Sequence, residues 1–442
     1  LPVVSDGVGG VDHEATYAHA KAAALFLADY VARRVDSEEL GEDVILGLDW
    51  VLGGTSPTCR KNQSCSDDEI KHAILGIPSP EKINPDKGGC LEVNPDLSCK
   101  VKNVKKASVL DFCNEHYAKQ ALGVSPIIGE KGGPDAKYVV NGYSHTPALP
   151  CEVSVWNDEQ HIYVDMLDPN GIFTLFFTDV HFSKEMKDPA FANAIRALPP
   201  QVKAEIVAIV QDAMLEFDAN ANVDIEDAIG PAYTSMTQVI EAVDAAPYDS
   251  PYKHVGYTRK DGGDFDSTDA AAVAQVIINT MSIHGNPDQG IHPTVINAKK
   301  GKTLDSILSP GSSWRSARPT PLPLPGKNYV IEACSPKYAK MAMGTGLHHV
   351  TALPCEITVQ VIDRTGDGSK ETLVVSYLDP HFMLGALFAD ISEEEKLAFA
   401  EIPGLIMEDL QEIVEAALDD KISGYELNKQ TINIQYDMLP QE

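Results

Sequence analysis

The chain has 442 residues, 43% of them hydrophobic, and a formal net charge of -30 from 65 acidic and 35 basic side chains. That length exceeds one ordinary domain and is enough for two cores, while the charge excludes nucleic acid and anionic membrane surfaces as partners, because both would be repelled. No apolar run reaches the roughly 20 residues that a membrane-spanning helix needs, so no membrane span is expected.

Leu1 to Val11 is Gly-rich and weakly patterned, and a first residue that is Leu and not Met reads as a mature product whose signal peptide has been removed. The expected setting is extracellular, with the periplasm or a cell surface as the alternative. A helix is predicted from His13 to Val35, where Ala20, Ala24, Leu27, Val31 and Val35 recur at helical spacing. Asp43 to Leu52 reads as a strand. Residues 55–102 then break the pattern with Pro, Asn, Gly and Lys, and they hold Cys59, Cys65, Cys90 and Cys99, half of the eight cysteines. In an exported chain such a segment is expected to be a disulfide-stapled insertion; a four-cysteine zinc site is the alternative, with spacings wider than zinc usually takes. A strand passing into a helix from Ser108 to Leu122, a hairpin between Tyr138 and Leu167, and two helices, Pro189 to Leu198 and Pro200 to Phe217, complete a first unit over residues 1–217.

Residues 218–251 read as a linker with a helix at about Pro231 to Ala245. The second unit, 252–420, opens with a strand from Tyr252 to Thr258 and a helix capped near Ser267-Thr268-Asp269 that runs to Ile283. A short strand near Pro293 to Asn297 leads to a Pro-rich loop, Arg318 to Pro325, too stiff and too poor in N–H donors for sheet or helix. A closing helix is predicted from Pro403 to Asp419. After it, residues 421–442 hold a surplus strand, in which Ile432, Ile434, Tyr436 and Met438 alternate with Asn433, Gln435 and Asp437.

One phrase occurs twice. His145-Thr-Pro-Ala-Leu-Pro-Cys151-Glu152 returns as His349-Val-Thr-Ala-Leu-Pro-Cys355-Glu356, each followed by an alternating hairpin that ends in Leu-Asp-Pro, at Leu167-Asp168-Pro169 and Leu378-Asp379-Pro380. Each is preceded by Cys-Asn/Ser and Tyr-Ala-Lys, at Cys113-Asn114 with Tyr117, and at Cys334-Ser335 with Tyr338. The pattern is that of a tandem duplication. It resembles the domain-of-unknown-function family 302, over about residues 107–217 and 252–419. The resemblance implies a compact domain of antiparallel sheet with helices on one face, and no activity. The expected class is therefore α+β: two tandem αβ sandwich-like domains, a disulfide-rich insertion and a C-terminal extra strand.

Two chemistries suit the repeated cysteines. Cys113 with Cys151, and Cys334 with Cys355, are disulfides in an exported chain; joined by His145 or His116 in the first copy and His349 in the second, they are a copper, zinc or haem-iron site. Cys113 is expected to open a helix, where the backbone N–H groups would lower its thiol pKa. His348-His349 is one adjacent pair, read as a solvated turn. Calcium is the next candidate: Asp218, Asn220, Asn222 and Asp224 place oxygens at alternate positions like an EF-type loop, without its Gly and Glu, and Asp363 with Asp367 is a truncated version in the longer second hairpin. No hydrolase, metalloprotease, phosphate-loop or dinucleotide fingerprint is present, so an enzyme is not expected. The surplus strand, in a chain whose first sheet lacks a strand the second has, predicts β-strand addition and a homopolymer as the main partner, with divalent cations as further ligands. The functional expectation is a self-assembling extracellular structural subunit; the alternative is an exported metal- or haem-binding protein.

Overall fold

The structure, a computed structural model, describes residues 1–33, 50–62, 64–77, 90–93, 99–102, 107–122, 143–149, 151–181, 184–225, 251–265, 268–283, 291–292, 294–297, 300–324, 328–353, 355–362, 372–419 and 425–431. The expected linker helix, Asp363 with Asp367, and Ile432, Ile434, Tyr436 and Met438 all lie outside them. Helices and antiparallel sheet mix throughout, so the chain is of the α+β class. No helix among the described residues is long and apolar enough to cross a membrane.

The first half contributes α1 (His13–Arg33), β1 (Trp50–Leu52), α2 (Asp67–Ala73), β2 (Leu75–Ile77), a hairpin of β3 (Cys90–Val93) and β4 (Cys99–Lys102), β5 (Ala107–Asn114), α3 (Glu115–Ala121), β6 (Cys151–Asn157), β7 (Ile162–Met166), α4 (Pro169–Phe176) and α5 (Pro189–Phe217). Its sheet runs β1-β5-β6-β7, with β2 also on β5, all antiparallel. The second half adds β8 (Tyr252–Arg259), α6 (Asp269–Thr280), β9 (Ser282–Ile283), β10 (Ile296–Asn297), β11 (Lys302–Thr303), β12 (Arg315–Ser316), β13 (Leu322–Leu324), β14 (Asn328–Cys334), α7 (Pro336–Thr345), β15 (Cys355–Ile362), β16 (Thr372–Leu378), α8 (Pro380–Leu387), α9 (Ile402–Asp419) and β17 (Leu427–Thr431). Its sheet runs β17-β8-β16-β15-β14-β12-β9, with β13 on β14.

The repeated words turn out to be helix starts. Asn114 and Ser335, one residue after Cys113 and Cys334, are N-caps whose side chains accept from the backbone N–H of Tyr117 and Tyr338. Asp168 and Asp379 do the same for α4 and α8, with Pro at the first helical position, so Leu-Asp-Pro is a strand exit into a capped helix and more than a turn. Two expectations fail locally: the Pro-rich loop contains β13, which pairs antiparallel with β14 through Leu322 against Val330 and Leu324 against Asn328, and Pro189 to Phe217 is a single helix with Pro199 and Pro200 inside it. Its apolar stripe runs on across the prolines through Ile195, Leu198, Val202, Ile206 and Ile209, all buried, and burying each such side chain contributes about 1.5–3 kcal/mol, which offsets the missing backbone bonds.

Each sheet packs one face on its helices. Leu27, Val31, Leu110, Phe112, Val153 and Ile206 join α1 and α5 to the first sheet, and Val273, Ile277, Ile357, Val359, Leu410 and Ile413 join α6 and α9 to the second. The opposite faces meet each other. The 3-10 turn Tyr143–Ala148 ahead of β6 contacts β8, β14, β15 and β16, while its counterpart Leu347–Ala352 ahead of β15 contacts β5, β6 and β7. Ser154 Oγ lies 3.2 Å from Thr351 Oγ1 across this junction. The polar half of the strand alternation, Asp111, Glu332, Glu356, Thr358, Gln360 and Ser376, is therefore buried between the sheets.

Candidate functional site

The paired cysteines stand close together but do not form the sites expected of them. Cys113 and Cys151 are on adjacent strands, where Phe112 faces Cys151, and Cys334 and Cys355 are placed alike, with Ala333 facing Cys355. All four are free thiols, which corrects the disulfide expectation at both pairs. Cys113 ends β5 and does not open a helix, because the N-cap is Asn114. Burial pushes Cys113, Cys151 and Cys355 up to about 12, and Cys334 to about 11, the reverse of the activation expected. A bridge is present in the insertion, between Cys59 and Cys65; Cys90 and Cys99 begin β3 and β4, and their side chains lie outside the described residues.

The histidines do not join the cysteines. His145 is fully buried with its ring stacked on Phe177 at 4.3 Å. His116 sits on the exposed face of α3 against Gln120. His349 stacks on Phe388, also at 4.3 Å, and its Nε2 lies 2.9 Å from Asp390, beside His348. Burial lowers the His349 pKa. His348, His349 and Asp390 are the group of three metal-ligand side chains that converges among the described residues. Asp390 was missed in the sequence, although Phe388-Ala-Asp390 repeats Phe177-Thr-Asp179 and was open to the same comparison as the cysteines.

The expected calcium loop spends its oxygens on itself. Asp218 Oδ1 accepts from the backbone N–H of Asn220 at 2.9 Å and from its side chain at 3.1 Å, which holds the Asp218 pKa below the usual range, and Asn222 Oδ1 accepts from Asp224 N at 3.1 Å. These are Asx turns that close α5. Gln211 Nε2 donates to Val223 O at 2.8 Å and ties the loop to the helix.

That tie shapes the larger feature. In the second sheet β16 lies between β15 and β8. In the first, β7 pairs with β6 on one side, and on the other only its start is covered: Leu1 N donates to Ile162 O at 2.7 Å, Ile162 N to Leu1 O at 2.9 Å, and Pro2 bridges to His161. Leu1 stands against Ile162 as Tyr257 stands against Leu373. From Val164 to Met166 the outer edge has no strand partner among the described residues. A groove of about 440 Å³ runs along it, lined by Val164 and Met166 of β7, Val207, Val210 and Met214 of α5, and Val223 with Ile225 of the Asx loop. Ile225 is 58% exposed, an apolar side chain at the lip of the groove.

The fourth feature joins the halves. Arg318, from the Pro-rich loop, reaches between the sheets and pairs through Nη2 with Asp111 and through Nε with Glu332 at 2.6 Å, all three buried. Its Nη1 donates to Ala73 O at 3.2 Å. Gly54 makes room: at φ +78° it favours glycine, and a Cβ there would fall 1.9 Å from Arg318 Nη1. Glu152 faces Asp111 and Glu356 faces Glu332 in the two ladders, so the repeated Pro-Cys-Glu brings its glutamates into the same buried cluster. Burial holds Glu152, Glu332 and Glu356 well above the ordinary carboxylate pKa, and neighbouring carboxylates add to it in each case.

The fold is thus an α+β assembly of two mainly antiparallel sheets, β12 and β9 alone of the named pairs being parallel, with helices outside and a polar junction within. Comparison with known proteins agrees at one place: residues 322–417 match the family described as "Domain of unknown function DUF302". No curated protein and no solved structure matches the chain.

Proposed function

We propose that the protein is an extracellular structural subunit that self-assembles by β-strand addition, the C-terminal segment of one copy entering the open edge of β7 in the next. Two copies of the family-302 unit make up the subunit; the shared succession of strand, capped helix, 3-10 turn, hairpin and capped helix in β5 to α4 and in β14 to α8 supports that duplication. The observation that carries the assembly is the edge of β7 at Val164 and Met166, which has no strand partner among the described residues, beside a groove floored by Val207, Val210 and Met214, where the second sheet has β8. An added strand would bond to the N–H and C=O groups of Val164 and Met166, which point outward as those of Ile162 do toward Leu1. Ile432, Ile434, Tyr436 and Met438 supply one apolar face of matching period. β17 already pairs with β8 of its own chain and delivers the segment from residue 432 onward. A head-to-tail contact of this kind does not close, so the product is a filament.

The test compares the full chain with a chain ending at Thr431, by light scattering and negative-stain imaging. The full chain is expected to form filaments and the shortened one to stay monomeric while binding a synthetic peptide of residues 432–442. Val164→Pro, which removes one outward donor and is tolerated on an edge strand, is expected to abolish both filament growth and peptide binding with the circular dichroism unchanged. A full chain that stays monodisperse at every concentration would sink this reading.

A further inference from the structure

Independently of assembly, the strongest unassigned cluster is at the start of the second Pro-Cys-Glu phrase. We propose that His348, His349 and Asp390 bind one first-row divalent transition-metal ion, with zinc the reference case. His348 Nε2 lies 2.8 Å from one oxygen of Asp390 and His349 Nε2 lies 2.9 Å from the other. The three ligand atoms are all within 4.8 Å of one another.

The surroundings orient these atoms as ligands. Thr345 Oγ1 donates to Ala342 O at 2.8 Å, so its oxygen accepts from His349 Nδ1, also at 2.8 Å. That bond selects the tautomer in which Nε2 is left for a metal, the role outer partners of ligating histidines usually play. Phe388 fixes the His349 ring by stacking. Gly346 lets the His348 ring lie over the backbone: a Cβ there would sit 2.3 Å from His348 Cε1. The side chains of His348 and Asp390 keep 20% and 18% of their surface exposed, which leaves a path for an ion and a position for water.

The first copy serves as an internal control. There His145 stacks on Phe177 as His349 stacks on Phe388, so the buried histidine has a packing role that needs no metal. At the position of His348 the first copy has Ser144, and at that of Thr345 it has Asn141. The second imidazole and the hydroxyl that orients the first are therefore additions that packing alone does not require. Two imidazole nitrogens and one carboxylate suit zinc, cobalt, nickel, copper or iron, and not calcium or magnesium, which take oxygen ligands.

The experiment titrates the chelator-treated full chain with Co²⁺, followed by visible absorption, elemental analysis of the bound metal and competition by Zn²⁺. One equivalent with nitrogen and oxygen ligation is expected. His348→Ser, which installs the residue of the first copy at a half-exposed position, is expected to weaken binding more than 100-fold, and Thr345→Val by about 10–100-fold, each with the thermal transition of the metal-free chain unchanged. Absence of stoichiometric binding, undiminished affinity in His348→Ser, or a thiolate charge-transfer band that places the ion at the cysteines would each overturn the proposal.

Discussion

Arg318→Ala is expected to cost about 3–5 kcal/mol of stability at neutral pH, the penalty for breaking a buried ion pair from one side. Arg318 is 4% exposed, and its guanidinium is the cation between Asp111 and Glu332, with Glu152 and Glu356 beside them. Truncation leaves those carboxylates facing one another without a countercharge. Arg318→Lys is expected to recover only part of the loss, because three different nitrogens of the planar group serve Asp111, Glu332 and Ala73 O, and an ammonium has no such fork. The defect should shrink in acid, where the carboxylates take up protons and no longer need the cation. Chemical denaturation of both variants at pH 7.5 and 4.5 checks this; a loss below 1 kcal/mol, or one equal at both pH values, is the contrary result.

Arg318 also shows what the sequence conceals. It stands in Arg-Pro-Thr-Pro, where local chemistry speaks only of a stiff loop, and its partner Asp111 is 207 residues away. Most strands and the repeated phrase were legible because they rest on period, whereas the caps at Asn114, Ser335, Asp168 and Asp379 were not read, and Cys113 was expected to open the helix that Asn114 caps. The polar half of β15, Glu356, Thr358 and Gln360, is buried, which the sequence does not show, because alternation marks two different faces without saying what covers the second. The open edge of β7 was half legible, as a first unit short of a strand, but the groove depends on how α5 and the Asx loop flank it. At the candidate metal site His349 was singled out, but its partners were sought among the cysteines; the carboxylate that does meet it comes from beyond α8. Disulfide expectations drew on compartment and count, whereas the thiols of Cys113, Cys151, Cys334 and Cys355 are set by strand register.

The second large effect is a loss of stability with rising pH, centred on Glu356 and Glu332, 6% and 2% exposed, and the half-buried Glu152. Burial raises each pKa in the folded chain, and carboxylate neighbours raise it further, Asp111 first for Glu152, and Glu152 first for Glu356; for Glu332, Arg318 opposes burial without cancelling it. In the unfolded chain the same groups titrate near pH 4.3. Because the folded values are the higher ones, the contribution of these groups is fully present below about pH 4.3 and is lost as pH rises through the folded values, by roughly 1.4 kcal/mol per pH unit for each proton that only the folded chain retains. Carboxylates with lowered pKa values, such as Glu69 held at about 2 by hydrogen bonds from Ser56 and Ser66, have the opposite sign, but their contribution falls away only at acid pH, below the unfolded value, and does not change above it. His349, lowered by burial, also has the opposite sign: its contribution is present above the unfolded imidazole value of about 6.5 and is lost as pH falls from there through the folded value. From pH 5 to 8 three raised glutamates stand against one lowered imidazole, which acts only below about pH 6.5, so the glutamates set the sign of the slope, and the thermal transition should fall. Glu356→Gln keeps the shape and removes the titration, so the variant is expected to gain on the parent steadily as pH rises. A parent whose transition is flat or climbs over that range, or a variant with an unchanged slope, would show that these glutamates are ionised in the fold and that Arg318 compensates them as well as Asp111.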